Sequence, residues 1–151
     1  MRDAAVLKSL ILRTFSNAPF PKGIRPAEHQ CGECDKIREA FARKVPFALA
    51  DSVIEHHQDS LPLLSPAAFH HFLPAYLVYA IDHPDSVVAQ FAWFSLSPDE
   101  LDEFYVERFG RFSESERSAV REVVEFIIEQ NSEVEISPEE RARARDYWRV
   151  A

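Results

Sequence analysis

The chain has 151 residues, of which 46% are hydrophobic and 28% charged, and its formal net charge is -8. A chain of this length buries a core without disulfides, and the composition is that of a folded globular protein, not a disordered one. Negative charge repels phosphate backbones, so we expect no nucleic-acid partner. The three glycines, Gly23, Gly32 and Gly110, are too far apart to form a phosphate-binding or dinucleotide-binding loop.

The first segment predicts an amphipathic helix near residues 3–16. Its apolar residues recur at helical spacing, and Lys8 and Arg13 interrupt the apolar run that an export signal would need. We therefore expect a cytoplasmic protein whose cysteines are reduced. Residues 17–30 follow as a loop rich in proline.

The segment Glu28–Asp35 is the strongest candidate for chemistry. It contains both cysteines of the chain, Cys31 and Cys34, with His29 just before them. In a first interpretation the cysteines supply two thiolates to a tetrahedral zinc site. His29 and, from a more distant element, His57 are the candidate ligands that would complete it. A second Cys-x-x-Cys pair, which would strengthen this hypothesis, does not occur in the sequence.

Two other interpretations of the cysteine segment remain open. A helix beginning near Asp35 would stabilise a thiolate through its dipole, as in a redox dithiol. The acids Glu28, Glu33 and Asp35 argue against this, because negative charge raises the pKa of a thiol. In the third interpretation the cysteines are buried, inert side chains.

Weaker helical patterns cover residues 35–43, 47–57 and 85–95. Between them, residues 61–81 contain no Asp, Glu, Lys or Arg, but prolines and histidines interrupt this stretch. We interpret it as a buried central helix with its lead-in loop, not as a membrane span. Pro74 should kink that helix.

Ser-Pro pairs place a capping hydroxyl before a proline that suits the first helical position. Together with the reciprocal pattern of serine and a glutamate three residues later, they predict helix starts near 66, 98, 114 and 138. The reciprocal pairs are Ser97 with Glu100, Ser113 with Glu116, and Ser137 with Glu140. The acids from Asp99 to Glu103 would then lie in the first turn of a helix that Gly110 ends.

Further polar and aromatic residues have two interpretations each. Single members of His56-His57 and of His70-His71 could face inward, either as satisfied core residues or as ligands. Arg141, Arg145 and Arg149 share one helical face, which we interpret as a solvated face that pairs with nearby acids. The acidic run from Asp99 to Glu103 and exposed aromatic residues such as Trp93 and Trp148 are candidates for binding a partner.

These patterns predict an all-α protein. We expect one compact domain over residues 1–151, built from seven or eight helices behind a Pro-rich N-terminal loop. No strand-turn-strand pattern, repeat or low-complexity tract is present, although residues 134–136 could form a short extended link.

Several motifs occur together in an order that resembles a known family. Pro19-Phe20-Pro21 is followed by Cys31-x-x-Cys34-Asp35, by Leu61-Pro62-Leu63-Leu64-Ser65-Pro66 and by Leu73-Pro74-Ala75-Tyr76-Leu77. Over roughly residues 10–130 the chain resembles a bacterial family of small proteins described as domain of unknown function 6714. The resemblance implies a bacterial origin and carries no activity or catalytic residue.

Two functions remain open from the sequence. The first is a non-enzymatic accessory or immunity-type factor that binds another protein, with a second copy of the chain also possible as a partner. In it, a structural zinc held by Cys31 and Cys34 would be the cofactor. The second is a metal- or thiol-dependent enzyme that uses Cys31 and Cys34. The sequence contains no complete catalytic motif, which favours the first.

Overall fold

The computed structural model describes residues 2–28, 32–130 and 136–149. This part of the chain contains helices and no strand, so the predicted all-α fold is confirmed. The α-helices are α1 (Ala4–Thr14), α2 (Gly32–Phe41), α3 (Asp51–His56), α4 (Pro66–Asp82), α5 (Val87–Leu96), α6 (Glu103–Phe109), α7 (Glu114–Gln130) and α8 (Pro138–Tyr147). Two 3₁₀ turns, Pro46–Ala48 and Leu61–Leu63, lie between them.

Helix α4 is the centre of the fold. Helices α1, α3, α5, α6 and α7 all pack against it. Its sequence is apolar on every face, which is typical of a helix surrounded by others. The side chains of Phe69, Phe72, Leu73, Tyr76 and Leu77 are completely buried. The helix continues through Pro74 as one element.

The start of α4 agrees with its Ser-Pro signal and also anchors the Pro-rich loop. The hydroxyl of Ser65 accepts a hydrogen bond from the amide of Ala68 at 3.3 Å. The same hydroxyl donates to the carbonyl of Arg25 at 2.8 Å. One serine therefore caps the central helix and holds the preceding loop against it.

The predicted starts of α7 and α8 are also confirmed. At α7 the amide of Ser113 donates to Glu116 Oε1 at 2.7 Å, and the amide of Glu116 donates to the Ser113 hydroxyl at 3.2 Å. This is the reciprocal capping box. At α8 the Ser137 hydroxyl accepts from the amide of Glu140 at 3.1 Å, whereas the Glu140 carboxylate accepts from that hydroxyl instead of from the backbone.

The helix start predicted near residue 98 is wrong. Ser97 is the C-cap of α5, and its hydroxyl donates back to the carbonyl of Trp93 at 2.8 Å. The chain is not helical again until α6, whose N-cap is Asp102. The acids Asp99 and Glu100 therefore precede the helix and lie on an exposed bend. Gly110 ends α6 as expected.

The remaining predicted helices are observed, with one interruption. The pattern over residues 47–57 is divided into the 3₁₀ turn at Pro46–Ala48 and the six-residue helix α3. The extended link predicted at residues 134–136 lies outside the described residues except for Ile136.

Arg143 and Arg145 of α8, and Arg149 just after it, bind acids on different elements. Arg145 donates from Nε and Nη2 to the two carboxylate oxygens of Glu125 on α7, at 2.6 and 2.8 Å. Arg149 pairs with Asp146 within its own segment. The prediction that these arginines pair with nearby acids therefore holds for Arg149. Arg145 instead binds an acid on another helix and joins α8 to α7.

Arg108 on α6 has an almost completely buried guanidinium. It donates to the carbonyl of Phe104 at 3.0 Å and to that of Leu64 at 2.7 Å. Its central carbon lies 3.4 Å from the centroid of the Phe104 ring. Burial lowers the pKa of this side chain. Arg108 thus fixes α6 to the turn that precedes α4.

Among the described residues, no helix combines the length and the apolar character that a bilayer span needs.

Candidate functional site

The cysteine segment is only partly within the described residues. Cys34 lies in the first turns of α2 and is completely buried, as are Ile37 and Phe41 on the same helix face. Cys31 and His29, two of the four predicted metal ligands, lie outside the described residues.

His57, the fourth predicted ligand, is buried at the C-cap of α3. Its ring packs edge-on against Phe41 of α2, and its Nδ1 lies 3.3 Å from the Ser60 hydroxyl. Burial, followed by the neighbouring His56, lowers the pKa of His57. The negative charges of Asp59 and then of Glu33 oppose this lowering of the pKa. His57 therefore lies near the helix that carries Cys34, and its burial favours the neutral imidazole, the form in which histidine binds a metal.

The second histidine pair is bound within the fold. His70 Nε2 lies 3.0 Å from Glu116, the residue that completes the cap of α7. His71 Nε2 lies 2.9 Å from the carbonyl of Ala18, and burial lowers its pKa. Both histidines therefore connect α4 to neighbouring elements.

The structure leaves the metal hypothesis as a prediction. In residues 2–28, 32–130 and 136–149, no three His, Cys, Asp or Glu side chains are grouped so that they could hold a metal ion. The four candidates Cys31, Cys34, His29 and His57 include two residues outside these ranges.

The two tryptophans are not exposed, so that expectation from the sequence is wrong. Trp93 is 3% exposed and Trp148 is completely buried. Among the residues that the structure describes, the exposed large aromatic side chain is instead Phe94, which follows Trp93 on α5 and is 52% exposed. It lies on one helix face with Val87, which is 48% exposed, and with the half-buried Phe91.

This face of α5 borders a groove in two parts, which we call the α5 groove. The first part is a cavity of about 330 Å³ between α5, the turn before it, the C-terminal half of α7 and the start of α8. Its apolar lining includes Val87, Trp93, Phe94, Ile127 and Ile136. A surface depression of this size, lined mainly by apolar side chains, is typical of a binding site.

The second part of the groove is wider and acidic. It encloses about 640 Å³ and shares Phe94 and Glu140 with the first part. Its walls carry the carboxylates of Asp99, Glu100 and Asp102.

Within the described chain, Arg143 is the one basic residue lining either part of the groove. Its Nη2 lies 3.2 Å from Asp99 Oδ1. The remaining carboxylates give the groove an excess of negative charge, so the arrangement favours an occupant that is apolar on one side and cationic on another.

Sequence reasoning did not find this groove. The apolar positions Val87, Phe91 and Phe94 recur at helical spacing, but the buried positions on α5 do so as well. The helix is apolar on all faces, and the sequence does not indicate which face its neighbours leave uncovered. The signal in the sequence is the acidic run from Asp99 to Glu103, for which a role in binding a partner remains open.

The fold and the groove define an all-α protein with an acidic surface groove that has an apolar floor. The chain belongs to the family of unknown function DUF6714, whose model matches residues 26–151. The resemblance stated from the sequence is thereby confirmed, although the match begins after residue 10 and extends past residue 130. No curated protein and no solved structure matches the chain.

Proposed function

We propose that this protein is a non-enzymatic accessory factor that binds another protein through the α5 groove. The observation that carries the proposal is Phe94, which is half exposed at the point where the apolar and acidic parts of the groove meet. Exposed aromatic side chains beside a preformed depression are typical of the central residues of protein interfaces. The bacterial, cytoplasmic setting expected from the sequence is part of the proposal.

The shifted titratable groups support a binding role over a catalytic one. Glu125 binds Arg145 across two helices, and Glu116 binds His70 and the start of α7. Arg108 binds two backbone carbonyls. Each of these side chains is explained by a contact that holds helices together. None of these side chains lines the α5 groove. Tyr105 does line its acidic part, and burial raises the pKa of this phenol.

Affinity capture from the native host tests this proposal with three forms of the protein. We expect a partner that wild type retains and that Phe94→Glu loses. Leu12→Glu is the matched control, because Leu12 is an exposed apolar residue on α1, away from the groove. A capture profile that does not change with Phe94→Glu would contradict the proposal.

We further propose that the Cys31–Cys34 segment holds a structural zinc, with His57 as a ligand and His29 as the other candidate. The supporting observation is that His57 packs edge-on against Phe41 of α2, the helix that carries Cys34, with ring centroids 5.4 Å apart. A bound zinc would tie the start of α2 to the end of α3.

Metal analysis of protein purified without chelator tests this site. We expect about one zinc per chain, lost in Cys31→Ser and in His57→Asn but kept in His71→Asn. Absence of zinc from the wild type refutes it. In that case a thiol titration decides between an inert pair and the alternative of a thiol-dependent enzyme, which requires a thiolate below neutral pH.

A further inference from the structure

The α5 groove presents two different chemistries side by side. Trp93, Ile127 and Ile136 form an apolar floor in the first part. The second part has carboxylates along its walls. The two parts are continuous because Phe94 and Glu140 line both. An occupant long enough to enter both parts must therefore combine an apolar side with a polar one.

Three carboxylates of the groove, those of Asp85, Glu100 and Asp102, are available to a partner. No Lys or Arg of the described chain lies within ion-pair distance of Asp85, Glu100 or Asp102. Asp102 accepts one hydrogen bond from the amide of Tyr105 as the cap of α6, and this leaves its charge in place. Asp85 and Glu100 are exposed. A cationic ligand can thus pair with these groups without breaking an existing ion pair.

Acids near helix starts are common for structural reasons, since they offset the helix dipole. Here the second observation is the apolar cavity beside them. Val87 and Phe94 flank its mouth, and both remain about half exposed. Covering two such side chains gives favourable burial that a purely ionic ligand cannot gain.

The same charges disfavour other occupants. A nucleic acid or an anionic membrane would bring more negative charge to the groove. A second copy of this chain carries the same net charge of -8. The groove is electrostatically complementary to a positively charged occupant.

We propose that the α5 groove binds a basic amphipathic segment of a partner protein, with an apolar side chain in the cavity and Lys or Arg side chains along the acidic walls. This inference rests on the proposed protein-binding function and specifies the chemistry of the partner.

Fluorescence anisotropy with dye-labelled synthetic peptides tests the inference on the full chain. Three helix-forming peptides of equal length are compared. The first has leucines on one face and lysines on the other, the second replaces each lysine by glutamate, and the third replaces each leucine by serine. We expect the leucine–lysine peptide to bind about tenfold or more tightly than either other peptide, and to weaken as salt rises.

Matched variants locate the site. Phe94→Ala should weaken binding of the leucine–lysine peptide about fivefold or more, as expected for a central aromatic contact. Glu100→Lys should weaken it about threefold, as expected for a charge at the rim of an interface. Glu39→Lys, the same charge reversal at an exposed position of α2, should have no effect. Because Glu100 and Glu39 are exposed, their charge reversals should leave thermal unfolding unchanged. A cooperative thermal unfolding transition of Phe94→Ala serves as its folding control.

The outcomes distinguish the basic-segment inference from the proposed protein-binding function. If the serine–lysine peptide bound as tightly as the leucine–lysine peptide, the inference would be overturned, because charge alone would then explain the binding. Tighter binding of the leucine–glutamate peptide, or binding that Phe94→Ala does not change, would also overturn it. If none of the peptides binds, the basic-segment inference fails. The proposed function is then still decided separately by the dependence of native capture on Phe94.

Discussion

Replacing each tryptophan by phenylalanine should have unequal effects on stability. Both residues are buried, and both substitutions delete the same ring atoms. They differ in the hydrogen bond of the indole N–H. Trp148 Nε1 donates to the carbonyl of Leu96 at 2.9 Å. Trp93 Nε1 is buried and has no acceptor in the part of the chain that the structure describes.

The Leu96 carbonyl explains how strongly Trp148→Phe should destabilise the protein. Leu96 is the last residue of α5, so its carbonyl has no partner within the helix. Trp148→Phe leaves this buried oxygen without a donor, which costs about 1–3 kcal/mol. The substitution also weakens ring contacts with Phe109 and Phe112, at centroid distances of 4.5 and 5.2 Å. We expect a total loss of roughly 2–4 kcal/mol in the free energy of unfolding.

For Trp93→Phe, the contribution of the indole N–H to the free energy of unfolding changes in the opposite direction. It removes a buried donor whose desolvation is not compensated within the described residues, and this gain of about 1–3 kcal/mol offsets most of the lost packing. The variant should remain within about 1 kcal/mol of the wild type.

Urea unfolding followed by far-ultraviolet circular dichroism measures both changes, and equal m-values show that the comparison is valid. Equal destabilisation by the two substitutions would refute the reasoning from hydrogen bonds.

The remaining predictions concern charged side chains. The hydrogen bond from Arg145 holds the pKa of Glu125 below its ordinary value of 4.5, so its contribution is present above pH 4.5 and is lost as the pH falls through the lower folded value. Glu125→Gln should therefore cost about 1 kcal/mol at neutral pH and reduce the loss of stability below pH 4.5 in urea unfolding. Glu100→Gln, on an exposed bend outside the helices, should leave the free energy of unfolding at neutral pH unchanged and is the control. Arg108→Lys should lower the free energy of unfolding by about 1–2 kcal/mol, because one ammonium cannot reach both backbone carbonyls and stack on a ring. Arg111→Lys, at an exposed site, is its control, and equal unfolding midpoints for the two variants would contradict the role given to Arg108.

The fold was largely predictable because its signals are local. Ser65 and Ser137 each precede a proline, and both cap the helices expected from that pattern. Ser97 precedes a proline too, yet it ends a helix instead of starting one. The Ser-Pro motif does not show that Ser97 completes the preceding helix, in which its amide and its hydroxyl both donate to the carbonyl of Trp93. The Pro98 carbonyl accepts a hydrogen bond from the Tyr147 hydroxyl of α8 at 2.8 Å, a contact too distant in the sequence to be predicted from the motif.

The site was less predictable for a related reason. Helical spacing gives the angle between two side chains on α5, but it does not show which side the neighbouring helices cover. Trp93 and Phe94 are adjacent and both aromatic, and the sequence alone suggested that Trp93 was exposed. Helix α5 contacts α4 and α7. Trp93 is buried and Phe94 is left at the surface.

In the acidic part of the groove, some residues affect both stability and binding, whereas Glu100 affects binding alone. Asp102 caps α6, and Glu140 lies in the first turn of α8, where its amide bonds to Ser137. Substituting either residue changes a helix terminus as well as the charge of the groove. Glu100 lies on the exposed bend between α5 and α6. A change in binding by Glu100→Lys therefore reports the charge of the groove itself, whereas the same change at Asp102 would combine it with loss of a helix cap.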